Sequence, residues 1–151
     1  MSAGTIKLDS MLCFAIYATG HAFTRFYKPR LEALDLTYPQ YLVLIVLWER
    51  DDITVNALGN RLFLDSGTIT PLIKRLEARG LVSRKRDEDD ERQVRIRLTP
   101  EGRALQDKAL AVPLTIARGT GLTREDVDRL RAELLTLRDR LDGQVEESEP
   151  S

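Results

Sequence analysis

The chain has 151 residues, of which 42% are hydrophobic and 31% are charged, which is enough apolar material for one core. Its formal net charge of −1 excludes a general polycation that binds nucleic acid through overall charge alone. We recognise no signal peptide and no apolar run long enough to cross a bilayer, so we expect a cytoplasmic protein without a membrane partner. A single cysteine excludes an intrachain disulfide.

The N-terminal segment is rich in apolar residues at helical spacing. Leu8 to Tyr27 predicts a helix that Pro29 closes, and Pro29 to Leu36 predicts a short helical linker. Because this helix is apolar almost all round, we expect it to be buried, here against a second subunit. Cys13 lies in its first turns, where a helix N-terminus favours a thiolate, although Asp9 one turn earlier opposes that effect.

The middle of the chain predicts a helix-turn-helix. Tyr41 to Glu49 is apolar enough for a core helix, and Thr54 is a suitable cap for a short helix from Val55 to Phe63. A further helix begins near Asp65-Ser66-Gly67-Thr68-Ile69-Thr70 and ends at Gly80, because glycine adopts the left-handed conformation at low cost. The short connection between these two helices is typical of the motif. The apolar stripe of the further helix consists of Leu72, Ile73, Leu76 and Leu81.

A β-hairpin wing is predicted next. Val82 and the basic run that ends at Arg86 precede an acidic stretch from Asp87 to Glu91, and Val94 to Leu98 then alternates apolar and charged residues as a half-buried strand does. From Leu72 to Arg86, six basic residues face Glu77 alone, a net charge of +5 that attracts a phosphate backbone. The six are Lys74, Arg75, Arg79, Arg84, Lys85 and Arg86.

The C-terminal part predicts two more helices. Thr99 caps a helix that runs towards Arg118 and that Pro113 kinks or divides, and Thr123 caps the last helix. Val127, Leu130, Leu134, Leu137 and Leu141 recur in the last helix at alternating spacings of three and four, which favours an interface with a partner chain. The acidic end from Glu146 to Ser151 is expected to be disordered.

Together these elements predict a mainly α fold with a small β-hairpin wing, a winged helix-turn-helix flanked by N- and C-terminal dimerisation helices. One domain covers residues 1–151. Its dimerisation helices span about 8–36 and 103–143, its DNA-binding lobe about 38–102, and its acidic tail 144–151.

Three groups of residues carry a resemblance. Asp90-x-Arg92, followed by Ile96-x-Leu98-Thr99-Pro100-x-Gly102, resembles the wing signature of the MarR family of winged-helix repressors. The stretch from Asp65 to Glu77 resembles the recognition helix of that family. Leu12-Cys13-Phe14-Ala15-Ile16-Tyr17, with Tyr27-Lys28-Pro29 and Leu36-Thr37-Tyr38-Pro39-Gln40-Tyr41, resembles the OhrR branch, the thiol-based sensors of organic hydroperoxides. The similarity runs from about Leu8 to the last helix.

The resemblance implies a homodimer that binds pseudo-palindromic double-stranded operator DNA, with each recognition helix in a major groove and each wing at a minor groove. Ser66, Thr68 and Thr70 then lie where hydroxyl groups meet bases or phosphates. Arg92, at the wing tip, becomes the probe of the minor groove. Arg75 and Arg84 contact phosphates or bases, or they join the carboxylate of Asp90 in an ion-pair network that fixes the wing.

For the thiol, the resemblance implies that Cys13 is the redox-sensing residue and that tyrosine hydroxyls support it. Tyr17 lies one turn away on the same helix. Tyr27 is fourteen residues from Cys13, which is about 21 Å along a helix, so it acts on the cysteine of the other subunit, as does Tyr38. Alone, a cysteine on an apolar helix is more often a small buried hydrophobe.

Oxidation by an organic hydroperoxide gives a sulfenic acid on Cys13. Since the chain has no second cysteine, the next step is a mixed disulfide with a low-molecular-weight thiol, a cyclic sulfenamide or overoxidation. A bulky adduct breaks the tyrosine hydrogen bonds, and the operator is released. We expect the apolar side chains around Cys13 to favour organic hydroperoxides over hydrogen peroxide.

Other classes of function explain fewer of the predicted elements than a hydroperoxide-sensing repressor does. A MarR-type regulator released by a small aromatic ligand, with Cys13 structural, is the nearest alternative. A peroxidase leaves the DNA-reading elements without a role, and a scaffold protein leaves the basic hairpin without one, so no enzymatic activity is predicted. No cofactor is expected, and a metal site is improbable because His21 has no other histidine or thiol nearby.

Overall fold

The computed structural model of the chain describes residues 4–148. It is mainly helical with one small antiparallel sheet, as the sequence predicts. A short 3₁₀ turn, Leu8–Ser10, comes first. The elements that follow are α1 (Leu12–Glu32), α2 (Tyr38–Glu49), β1 (Ile53–Thr54), α3 (Val55–Leu62), α4 (Ser66–Ala78), β2 (Val82–Arg86), β3 (Val94–Leu98), α5 (Pro100–Ala109), α6 (Ala111–Thr120) and α7 (Arg124–Ser148).

The backbone separates into two compact units, one up to Val112 and one from Pro113 onwards. In the first unit, α2 is apolar all round and forms the centre of the core. Val43, Leu44 and Leu47 are fully buried there, and α4 adds Ile69 and Leu76. The apolar stripe predicted for α4 is therefore confirmed, and it leaves the opposite face of this helix in solvent.

Side-chain caps fix where the helices of the first unit begin. Thr37 forms a capping box with Gln40 at the start of α2, and the hydroxyl of Thr54 accepts from the amide of Ala57 at 3.1 Å. The Asp65 carboxylate accepts from the amide of Thr68 at the start of α4. Each of these bonds satisfies an amide that has no partner inside its helix.

The wing has one more strand than predicted. β2 and β3 pair antiparallel from Val82 opposite Leu98 to Arg86 opposite Val94, as expected for a hairpin. β1 adds two residues on the other side of β3, with Ile53 opposite Ile96. The sheet order is β1-β3-β2, so the hairpin is hydrogen-bonded to the segment that leads into α3.

The prediction that Pro29 ends the first helix is wrong. α1 continues through Pro29 to Glu32, and only Leu8–Ser10 forms a separate 3₁₀ turn. Proline removes one amide donor, to the carbonyl of Arg25, in the last turns of the helix. Burial of Leu31, which is 1% exposed, holds these turns against the core. The first half of the predicted linker, residues 29–32, is therefore part of α1.

The predicted helix towards Arg118 is divided. α5 ends at Ala109 and α6 begins at Ala111, and Pro113 has no amide to donate to the carbonyl of Ala109 four residues earlier. In the second unit, the hydroxyl of Thr123 accepts from the amide of Asp126, which confirms the predicted cap of α7.

α7 carries the repeated apolar residues along an exposed face, with Leu134 49% and Leu141 59% exposed in the single chain. This helix extends to Ser148, so disorder from Glu146 is wrong for its first residues, and residues 149–151 lie outside the described part.

Candidate nucleic-acid interface and thiol site

The start of α4 offers small polar groups to solvent. Ser66, Gly67 and Thr68 are exposed in its first turn, and Thr70 is half-buried. Lys74 and Arg75 follow on the solvent side and are also exposed. Such a helix presents hydroxyl and basic groups outwards while its apolar side packs on the core, which is the arrangement of a helix that reads a groove.

Arg84 lies at the base of the wing and pairs with Glu77 of α4. Its Nη2 and Nε atoms lie 3.0 and 3.2 Å from Oε1 of Glu77. Hydrogen bonding from Arg84 lowers the pKa of Glu77, so this carboxylate is charged near neutral pH. The sequence leaves two roles open for Arg84, and of these the pairing with Asp90 is not formed: Arg84 instead joins β2 to the recognition helix through Glu77.

Asp90 and Arg92 form a local pair at the tip of the wing. Oδ1 of Asp90 accepts from the amide of Arg92 at 3.1 Å and from its Nε at 3.1 Å. The side chain of Arg92 is nevertheless 91% exposed. Asp90 orders the tip locally, and the guanidinium of Arg92 projects into solvent.

A cluster that the sequence analysis missed attaches the wing to the rest of the lobe. Arg95 of β3 reaches Oδ1 of Asp52 at 2.8 Å and Oδ2 of Asp87 at 3.0 Å. Arg97 lies 3.1 Å from the second oxygen of Asp52. We call these four residues the wing clamp. In the sequence, two features could have indicated this cluster: the adjacent acids Asp51 and Asp52, and the arginines at alternate positions of the predicted strand.

Electrostatics favour the charged form of the wing clamp. Hydrogen bonds from Arg95, and then from Arg97, lower the pKa of Asp52. Arg95 is also the main cause of the lowered pKa of Asp87, followed by the amides of Asp89 and Asp90. With their charges balanced by these acids, Arg95 and Arg97 stabilise the wing rather than add to its positive surface.

A cleft of about 210 Å³ separates α4 from the wing. Thr54, Thr70, Arg84 and Arg92 contribute polar groups to its lining, and Ile73 contributes part of its apolar floor. The cleft therefore brings together three of the residues predicted to contact DNA.

Cys13 is the second residue of α1 and is exposed in the single chain. Met11 precedes the helix and gives no side-chain cap, so the first amides of α1 remain available near the sulfur. Asp9 lies in the separate 3₁₀ turn before α1, not on the same helix as Cys13 as predicted. Leu12 and Ile16, next to Cys13 on the helix, are 64% and 40% exposed, which leaves an uncovered apolar surface around the thiol.

Tyr17 has a ring neighbour on its own helix. Its ring meets that of His21 edge-on, with centroids 4.4 Å apart. Tyr17 is 66% exposed, so its hydroxyl is accessible on the same side of α1 as Cys13. Within residues 4–148, no group of three or more potential ligands includes His21 or forms a metal site elsewhere.

Tyr27 and Tyr38 lie together at the other end of α1. Their ring centroids are 4.9 Å apart, and Tyr41 lies 6.0 Å from Tyr27. Burial, and then the nearby phenols of Tyr38 and Tyr41, raise the pKa of Tyr27 to about 12. Burial also raises the pKa of Tyr38. Both hydroxyls are therefore protonated hydrogen-bond donors at neutral pH. Tyr27 lies on α1, the helix that carries Cys13, and Tyr38 begins α2. Neither residue lies beside Cys13 of the same chain.

The helix-turn-helix, the exposed polar face of α4 and the clamped wing with Arg92 exposed at its tip define a winged-helix protein of the DNA-binding type. None of the helices between residues 4 and 148 combines the length and apolar character that a membrane span requires.

Sequence comparisons give the family. The profile of transcriptional regulator SarA/Rot matches residues 25–109. The chain is 48% identical to the organic hydroperoxide resistance transcriptional regulator of Bacillus subtilis over 132 residues, 87% of this chain and 90% of that protein. It is 52% identical over 143 residues to the HTH-type transcriptional regulator TtmR of Methylorubrum extorquens, 95% of this chain and 73% of that protein. The chain belongs to the MarR family of winged-helix transcriptional regulators, in its OhrR-like branch.

Solved structures agree with this assignment. The structure of reduced AbfR bound to DNA matches with a TM-score of 0.76 and 37% identity, over 91% of this chain and 94% of that one; AbfR is a protein of Staphylococcus epidermidis. A cysteine-to-serine mutant of MarR from E. coli, complexed with operator DNA, matches with a TM-score of 0.76 and 27% identity over 83% and 92%. The protein is a DNA-binding transcriptional regulator.

Proposed function

We propose that the protein represses transcription as a homodimer and releases its operator when an organic hydroperoxide oxidises Cys13. One observation carries the proposal. An exposed cysteine at the start of α1 occurs in the same chain as two adjoining phenols, Tyr27 and Tyr38, that stay protonated at neutral pH. The name of the Bacillus subtilis relative, an organic hydroperoxide resistance regulator, supports this choice of signal.

A dimer follows from surfaces that one chain leaves uncovered. Ile16 and Phe23 of α1 are both 40% exposed, and α7 exposes a repeated leucine face. Large apolar side chains on successive turns are stable in water when a second copy covers them. Because Tyr27 and Cys13 are fourteen residues apart on one helix, about 21 Å, Tyr27 and Tyr38 of one subunit serve Cys13 of the other.

For DNA, each α4 enters a major groove with Ser66, Thr68 and Thr70 towards the bases or phosphates. Arg75 contacts a phosphate, and Arg92 at the wing tip enters the flanking minor groove, where narrow A·T tracts concentrate negative potential. Arg84 binds phosphate while it remains paired with Glu77, since a guanidinium has five donors. Two-fold symmetry then requires an inverted repeat with half-sites about one helical turn, or a multiple of it, apart. With DNA as its target, we expect the protein in the cytoplasm.

The redox step is a two-electron displacement. The Cys13 thiolate attacks the terminal oxygen of the hydroperoxide, the O–O bond breaks, and the leaving alkoxide takes a proton to become an alcohol. Cys13 becomes a sulfenic acid, and a low-molecular-weight thiol then displaces water to give a mixed disulfide. A bulky adduct separates the sulfur from the tyrosine hydroxyls and shifts the dimer interface. A difference of about 3 kcal/mol between reduced and oxidised states weakens operator binding more than a hundredfold.

The proposal is tested by fluorescence anisotropy on the DNA upstream of the protein's own gene, at fixed salt. Reduced protein is compared with protein treated with a few equivalents of cumene hydroperoxide and a small thiol, and Cys13→Ser serves as the matched control. We expect the wild type to release the DNA and Cys13→Ser to retain it. Retention by both means that the thiol is structural, and an aromatic ligand is then the signal to seek.

Selectivity for the oxidant is tested separately by the rate at which Cys13 is oxidised. Leu12 and Ile16 surround the thiol with apolar surface, so cumene hydroperoxide should react faster than hydrogen peroxide. Equal rates would remove the argument for an apolar approach to the sulfur.

A further inference from the structure

The turn between α1 and α2 is stiff. The amide of Leu36 donates to the carbonyl of Leu31 and the amide of Asp35 to that of Glu32, both at 2.9 Å. Asp35 has a φ of 57°, the left-handed conformation that this type of helix ending requires. Leu31 and Leu36 are 1% and 5% exposed, so both ends of the turn are fixed in the core.

The recognition helix ends in the same way. The amide of Leu81 donates to the carbonyl of Leu76 at 3.0 Å, and the amide of Gly80 donates to that of Glu77 at 2.9 Å. Gly80 supplies the left-handed residue with a φ of 74°. Leu76 is fully buried and Leu81 is 7% exposed, so this ending is also held against the core.

Arg79 joins these two stiff endings. It is the C-terminal capping residue of α4, and its guanidinium donates from Nη1 to the carbonyl of Asp35 and from Nη2 to the carbonyl of Leu34, the latter at 3.3 Å. Its Nε atom also lies 3.5 Å from Oδ2 of Asp35. By position in the sequence Arg79 belongs to the basic patch, but its donors are directed to this turn.

The turn that Arg79 holds leads directly to the tyrosines. Tyr38 follows Asp35 by three residues, and its ring contacts that of Tyr27 at 4.9 Å. Because Tyr38 begins α2 directly after this turn, a displacement of the tyrosine pair moves the turn. Because a hydrogen bond needs a donor–acceptor distance near ~3 Å and a favourable angle, α4 must either follow that displacement or lose the bonds of Arg79.

We propose that Arg79 is a positioning residue that couples the state of the Tyr27–Tyr38 pair to the placement of the recognition helix. The coupling rests on the proposed function, in which oxidation of Cys13 disturbs these tyrosines. In the reduced protein Arg79 holds the end of α4 on the α1–α2 turn. After oxidation the same bonds transmit the movement of the turn to α4, and the operator is released.

Arg79→Gln removes the forked guanidinium and keeps most of the side-chain length. Arg61→Gln is the matched control, because Arg61 forms an exposed ion pair with Glu49 at 2.9 Å in the same lobe, away from this turn. The measured quantity is the ratio of operator Kd values, oxidised to reduced. Oxidation of Cys13 is followed in the same samples by intact mass, and folding by the fluorescence of Trp48, the one tryptophan of the chain.

We expect a ratio of about a hundredfold for the wild type and Arg61→Gln, and below about tenfold for Arg79→Gln. Reduced Arg79→Gln should bind the operator within about threefold of wild type, and its Cys13 should oxidise at the wild-type rate. A merely structural role would lower affinity in both states and leave the ratio unchanged.

A wild-type ratio in folded Arg79→Gln, or an equal fall in Arg61→Gln, would overturn the coupling while the proposed function stands. If wild-type protein keeps its operator after complete oxidation of Cys13, the proposed function fails, and the coupling fails with it.

Discussion

The rings of Tyr27 and Tyr38 lie 4.9 Å apart with an interplanar angle of 50°, and this contact joins the end of α1 to the first residue of α2. The aromatic contacts continue along α2, where the ring centroids of Tyr41 and Trp48 are 6.4 Å apart. The Nε1 atom of Trp48 donates to the carbonyl of Gly102 at 2.9 Å. Tyr27 and Tyr38, two of the tyrosines predicted to serve the thiol, thus pack against the core of the lobe that carries α4.

The raised pKa of Tyr27 predicts how stability changes at alkaline pH. Below pH 10.0, the ordinary pKa, the phenol is neutral in both folded and unfolded chains, and its full contribution is present. Between there and about pH 12 only the unfolded chain ionises it, so the free energy of unfolding falls. Urea unfolding followed by Trp48 fluorescence should show a smaller alkaline fall for Tyr27→Phe than for wild type. The same fall in both proteins would contradict the burial of this hydroxyl.

The exposure of Arg92 predicts a change in the salt dependence of operator binding. Each phosphate-neutralising contact contributes about 0.9 to the slope of log affinity against log salt, so losing one per subunit makes the slope shallower by roughly 2 per dimer. Arg92→Ala is compared with Arg131→Ala, which removes an arginine of α7 paired with Asp128. Identical slopes for Arg92→Ala and wild type would exclude the wing tip from the DNA contact.

The wing clamp predicts that Asp87 acts on DNA binding without touching DNA. Asp87→Asn weakens the bond to Arg95, and we expect the operator Kd to rise about tenfold because the wing tip is less well placed. Asp128→Asn, which alters an exposed ion pair of α7, should leave the Kd unchanged. Wild-type affinity in Asp87→Asn would show that the hairpin keeps its position without the clamp.

Lowered pKa values at Asp52 and Asp87 set the pH range of the clamp. Each carboxylate contributes its full stabilisation above its ordinary pKa of 3.8, and the contribution is lost as pH falls through the lower folded value. The clamp is therefore complete at the neutral pH of the binding measurements.

Gly59 predicts a stability effect at the turn of the helix-turn-helix. A Cβ atom on Gly59 would lie 2.7 Å from the carbonyl oxygen of Leu64, a backbone atom that cannot move aside cheaply. Gly59→Ala should destabilise the protein by about 1–3 kcal/mol. Gly143→Ala adds the same methyl at a position of α7 where, among the described residues, no atom outside the adjacent helix backbone lies within 4 Å, and it should gain about 0.5–1 kcal/mol in chemical denaturation. Equal stability of the two variants would contradict the close packing at Leu64.

Local chemistry was predictable from the sequence. Thr54, Asp65, Thr99 and Thr123 each accept an amide three residues later, because capping depends only on neighbouring residues. Tertiary contacts were not predictable in this way, because they join residues that are distant in the sequence. Pro29 predicts a helix end, and burial of Leu31 overrides that local preference.

The candidate site divides in the same way. The hydroxyls of α4 and the exposed Arg92 follow from position within predicted elements. The sequence leaves the partner of Arg84 open, and it does not reveal the bond from Arg95 to Asp52 because that bond spans 43 residues of sequence. β1 escaped prediction since two residues become a strand only by pairing with β3. Which residues contact DNA and which serve Cys13 stay predictions.

The central claim is that the chemical state of Cys13 determines whether the operator is bound. Its most direct test is a titration with cumene hydroperoxide and a small thiol in which each sample is divided. One part gives the fraction of DNA bound by anisotropy, and the other gives the fraction of chains modified at Cys13 by mass spectrometry. In wild type, the fraction of DNA bound should fall in proportion as the fraction of chains modified at Cys13 rises. Cys13→Ser should keep its DNA throughout. Full modification of Cys13 with the DNA still bound, or release by Cys13→Ser, would contradict the account.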